Sequence, residues 1–156
     1  MDQAMRAFAA RVVGRSRRSL SHAIELKQLT ERFSGPQLNV LTPNARAKWL
    51  GMVRDHAEAL RRETSLLRAE LQPIFFPTET PTAETEVIEI SGDAGLAPAI
   101  ERLYKLILAN DEAIRSAFTA SSDASTGQAV KAPRFRVSLA MAEGLADRIR
   151  QTTAKQ

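Results

Sequence analysis

His22 and His56 are the only imidazoles in the chain, and imidazole is the side chain best suited to metal ligation or proton transfer near neutral pH. A metal centre in a helical bundle needs ligands converging from facing helices, commonly as Glu-x-x-His pairs. The residues three positions before the histidines are Ser19 and Val53, so neither histidine carries that pattern. On one helix His56 and Glu63 are separated by about 10 Å of rise, too far to share an ion. Phosphotransfer through an exposed helical histidine fares no better, because His56-Ala57-Glu58 offers no lysine or glycine to admit a phosphoryl group. His56 therefore reads as a half-buried residue bordering a core, and no metal site is expected.

Other catalytic chemistries find no frame. The chain has no cysteine, which removes disulfides, thiolate metal sites and thiol nucleophiles. It has no Gly-x-Ser-x-Gly elbow and no Gly-x-Gly-x-x-Gly turn. Gly92-Asp93-Ala94-Gly95 is too short for a phosphate loop and lacks the lysine. No catalytic, cofactor-binding or metal-binding residue is assigned, and a non-enzymatic protein is the expectation.

Charge is the remaining chemistry. Arg11, Arg15 and Arg18 share one helical face, and Arg134 and Arg136 flank Phe135. These five could track phosphates on a nucleic acid or another anionic surface, with salt-sensitive affinity. Aromatic residues for base stacking make up only 5% of the chain, which weighs against that reading. The net charge of +4 is unevenly spread: residues 1–34 carry seven basic and three acidic side chains, residues 77–112 two and eight, residues 131–156 six and two. Acidic and basic regions of one fold would neutralise each other before any partner did. The arginine- and serine-rich start resembles an organelle-targeting composition, but its helical pattern continues to Phe33 with no break for cleavage.

The most regular charges flank a hydrophobic seam. Leu50, Val53, Ala57, Leu60, Thr64, Leu67 and Leu71 alternate spacings of three and four, the interior pattern of a helix laid along another helix. Arg54, Arg61 and Arg68 recur every seventh residue on one flank, and Trp49, His56, Glu63 and Glu70 on the other. Unlike flanks choose a neighbour and a register. Glu58 lies four residues from both Arg54 and Arg62, a spacing for pairing within the helix.

Four helices must carry these residues. The first covers about 3–33, with an apolar stripe that drifts through 5, 8, 12, then 16, 20, 24, then 26, 29, 33, and stops at Ser34-Gly35-Pro36. The second covers about 43–72, capped by Thr42 and opened by Pro43, with Pro73 ending or kinking it. The third covers about 96–118 and has its own three-four seam of Leu96, Ile100, Leu103, Ile107, Asn110, Ile114 and Ala117. Asn110 on that seam either fixes register as a buried amide or turns to solvent or a helix carbonyl. The fourth covers about 134–152 and buries Phe135, Leu139, Ala142, Leu145, Ala146 and Ile149, with Gly144 weakening it. Connections at about 76–95 and 119–133 are flexible by composition. Within the first, Glu86 to Ile90 alternates like a strand but has no sheet to join, so it reads as loop packed on the bundle.

The expectation is an all-α, four-helix, mostly antiparallel bundle in a single domain spanning 1–156, with an extended acidic loop between helices two and three and those two helices as the central pair. Absence of cysteine and of any apolar run near 20 residues places it in the cytoplasm by default. The expected role is a protein-protein interaction module: an adaptor, helical chaperone or assembly subunit, with coiled-coil-like pairing to another protein or to itself as an oligomer. Arg54, Arg61 and Arg68 would select that partner. Phe8, Val12 and Leu20 on the drifting stripe would bury against it. The alternative is nucleic-acid or anionic-surface binding through Arg11, Arg15, Arg18, Arg134 and Arg136.

Overall fold

The computed structural model describes residues 3–32, 41–75, 90, 95–119 and 133–154. The described residues form four helices: α1 (Gln3–Arg32), α2 (Pro43–Phe75), α3 (Leu96–Thr119) and α4 (Pro133–Ala154). The side chains at 73–75, 119 and 133–137 fall outside the description, as do residues 86–89 of the strand-like segment.

The helix ends follow local chemistry. Thr42 caps α2, its hydroxyl accepting the Ala45 N–H at 3.1 Å while its carbonyl accepts the Arg46 N–H. Pro43 and Pro133 open α2 and α4 at the position where a missing N–H costs nothing. Pro73 does not stop α2 at Leu71: the helix runs on to Phe75. A proline in the last turn removes one backbone hydrogen bond, and the helix ends within that turn.

The helices form an antiparallel ring. α1 packs on α2 and α3, and α4 packs on the same two. Arg15 meets Glu63 and Leu29 meets Trp49, so α1 and α2 run in opposite senses. Phe8 meets Phe118 and Lys27 meets Tyr104, so α1 and α3 do likewise. Arg68 meets Glu143 and Glu58 meets Arg150, which orients α4 against α2. Helices two and three are thus not the central pair. They lie diagonally and parallel, and their similar seams face one common core instead of each other. The end of α2 and the start of α3 lie at opposite ends of the bundle.

Every position of the α2 and α3 seams is buried, and so are Leu139, Ala142, Leu145, Ala146 and Ile149 of α4. The stripe of α1 does not drift. Its buried residues are Val12, Ser16, Ser19, Ala23, Leu26, Leu29 and Thr30. Apart from Leu29 they keep strict alternation of four and three; small and hydroxyl side chains at the interior positions hide that register from a count of apolar residues. Such side chains let backbones approach closely at little entropic cost.

The interior is not uniformly apolar. One cluster gathers Leu26, Trp49, Val53, Leu60, Ile100, Leu103 and Ile149, among others, and Ile90 packs against it. A second, smaller cluster holds Val12, Leu67, Leu71, Ile114, Ala117 and Leu139. Between them along α1, α2 and α3 lie Ser16 and Ser19, Thr64, and Asn110 and Asp111, all buried. A polar layer crosses the middle of the bundle.

Candidate functional site

Heptad geometry explains which side chains meet. With seam residues at the interior, each helix has two edges, and in this ring each edge meets one neighbour. The edge of α2 bearing Trp49, His56, Glu63 and Glu70 faces α1. Glu63 accepts from the Arg15 guanidinium at 3.0 Å, with both side chains largely shielded, and Arg18 stands 3.9 Å from its other oxygen. Glu70 accepts from Arg11 at 3.2 Å. Trp49 is buried, and its indole N–H donates to the Leu29 carbonyl at 3.1 Å. Between these contacts His22 and His56 meet, their Nδ1 atoms 2.9 Å apart. Each histidine alone lacks a partner in sequence; their juxtaposition comes from the α1 register that the serines conceal.

The opposite edge of α2 faces α4. Arg68 pairs with Glu143 at 2.6 Å. Arg61 forms a two-pronged pair with Glu58 at 3.0 and 2.7 Å, and Arg150 of α4 reaches the same carboxylate at 3.1 Å. Hydrogen bonding to Arg61 comes first among the effects that hold the Glu58 carboxyl below its ordinary pKa. Glu58 therefore joins Arg61 and Arg150, not the Arg54 and Arg62 pairing expected from spacing. Carboxylate bridging lets two arginines share this edge without repulsion. Arg54 is exposed at the end of the row.

The polar layer contains the one fully buried carboxylate among the described residues. Asp111 has no accessible side-chain surface; it accepts from the Ser16 hydroxyl at 2.8 Å and from Arg115 at 2.8 Å, and Arg17 reaches it at 3.4 Å. A buried charge requires such partners. Asn110 accepts from Ser138 at 2.8 Å, tying α3 to α4, while its Nδ2 and the Thr64 hydroxyl have no hydrogen-bond partner. The amide is buried on the seam, the first of the two expected alternatives, and does not turn to solvent. Neither Asp111 nor Ser16 stands out in sequence, because one charge beside a seam and one serine inside a helix are ordinary features.

The other expected site residues fall as follows. Val12 is wholly buried in the smaller cluster, Phe8 packs against that cluster edge-on to Phe118, and Leu20 packs against the larger one. In this fold all three contribute to the bundle itself, and Val12 has no surface to offer a partner. Arg11 and Arg15 are engaged by Glu70 and Glu63. The side chains of Arg134 and Arg136 lie outside the described residues. Among the described residues, no group of three or more His, Cys, Asp or Glu is arranged to hold a metal, and no helix is long and apolar enough to cross a membrane. No protein-family model, curated protein or solved structure matches the chain.

Proposed function

We propose that this chain is a non-enzymatic helical interaction module, an adaptor, chaperone or assembly subunit of the cytoplasm, working through the outer faces of α1 and α2. One asymmetry carries the reading. Among the described residues, the large apolar side chains left exposed are Met5 and Ile24 on α1 and Met52 and Leu66 on α2, with none on α3 or α4. Met52 and Leu66 lie two heptads apart on one stripe of α2, with Ala59 between them. An apolar stripe at heptad spacing on an outer face is the footprint of a further helix.

The flank arginines take a different part in this reading. Arg61 and Arg68 are occupied by Glu58 and Glu143, so reversing their charges would test the α2–α4 packing before it tested a partner. The discriminating variant is Met52→Glu with Leu66→Glu, which adds charge on exposed positions. Affinity capture from the native host, read by mass spectrometry, should retain a protein with the parent chain and lose it with this variant at unchanged helical circular dichroism. Light scattering on the same pair separates self-association from capture of another protein. Identical captured sets and identical masses for both chains would remove the reading.

A further inference from the structure

His22 and His56 approach each other through like atoms, Nδ1 to Nδ1, at 2.9 Å. Their ring centroids are 5.2 Å apart and the planes are inclined at 55°, so the rings meet end to end instead of stacking. Two ring nitrogens at that distance form a hydrogen bond only when one carries a proton and the other presents a lone pair. Two neutral rings must then be opposite tautomers, Nδ1–H on one and Nε2–H on the other. A first added proton goes to Nε2 of the donor ring. That makes it an imidazolium donating to a neutral neighbour, and the bond persists in a stronger, charge-assisted form. A second proton has to enter at the accepting Nδ1. It sets two N–H groups and two positive charges face to face, and the bond is lost.

We infer that His22 and His56 form a one-proton clasp that holds α1 to α2 near neutral pH and releases that seam when a second proton arrives. The surrounding charges do not offset the repulsion. Glu63 and Glu25 favour a charged His22 and Arg62 opposes it, but Glu63 is already engaged by Arg15, with Arg18 close by. Charges from the other packed helices are committed elsewhere: Asp111 of α3 to Ser16 and Arg17 of α1 and to Arg115 of its own helix, and Arg150 of α4 to Glu58 on the far edge of α2. Burial first, and then the charge of His56, depress the His22 pKa below its ordinary value of 6.5. The unfolded chain therefore binds a proton that the folded chain refuses. This contribution to stability is complete above the ordinary histidine value and is lost as the pH falls through the depressed one.

Imidazole nitrogen NMR on the full chain tests the clasp directly. At about pH 7.5 one histidine should be the Nδ1–H tautomer and the other Nε2–H, and His22 should titrate below its ordinary value. Trp49, the single tryptophan, lies on the same seam and reports its opening. Its emission should move to the red between about pH 7.5 and about pH 5, and the shift should vanish in the double variant His22→Gln, His56→Gln. Two Nε2–H tautomers would overturn the clasp, as would an unchanged acid shift in the double variant. If that variant does not fold, the tautomers of the parent chain decide alone.

Discussion

The interior faces of α1 and α2 share one spacing and differ in substance. On α2 the seam positions are leucines, a valine, an alanine and one threonine, with Trp49 buried beside them; on α1 the buried positions include two serines, an alanine and a second threonine. Burial is periodic in both because helix geometry makes it so. Hydrophobicity is periodic only on α2, where each interior side chain stabilises the fold through apolar area removed from water. The α1 hydroxyls are held by hydrogen bonds: Ser19 donates to the Arg15 carbonyl, Thr30 to the Lys27 carbonyl, and Ser16 to Asp111 on another helix. A seam can therefore be structurally strict and chemically quiet.

Substitutions along the two faces separate these sources of stability. Truncating α2 at Leu60→Ala removes a wholly buried side chain from the larger cluster and should cost about 2–5 kcal/mol in denaturant unfolding. A loss below about 1 kcal/mol would mean that the α2 face is not the apolar anchor of the bundle. On α1 the same method should split the two serines. Ser16→Ala takes one of the hydrogen bonds from a buried carboxylate and should cost about 1–3 kcal/mol. Ser19→Ala, whose hydroxyl bonds only within its own helix, should change stability by less than about 0.5 kcal/mol. Equal effects at both serines would erase the distinction between cross-helix and local hydroxyls. One effect has the opposite sign. Thr64→Val replaces a buried hydroxyl that has no hydrogen-bond partner with a methyl of similar shape, and it should stabilise the bundle by about 1 kcal/mol.

Legibility in the sequence follows the same division. The seams of α2 and α3, the Thr42 cap and the buried face of α4 could be read directly, because apolar spacing and capping chemistry are local. The α1 register could not, since a serine inside a helix gives no sign of which way it points. Reading the α1 stripe as drifting made Phe8, Val12 and Leu20 look like an unmatched surface, when they pack within the bundle. The flanks of α2 were recognised as neighbour-selecting, but the neighbours were not. Arg61 and Arg68 lie at the α4 edge, while Glu63 and Glu70 meet the arginines of α1 that had suggested an anion site. Pairing α2 with α3 failed because two faces that share a core look alike whether they are adjacent or diagonal.

By itself the sequence determined that four helices form, where they begin and end to within a few residues, and which faces of three of them are apolar. Each of these depends on interactions within a few turns of one helix. Only the tertiary structure decided the diagonal placement of α2 and α3, the strict register of α1, the burial of Asp111 against Ser16 and Arg115, and the meeting of His22 with His56. Those depend on contacts between residues far apart along the chain, whose partners are chosen when all four helices close on a shared core.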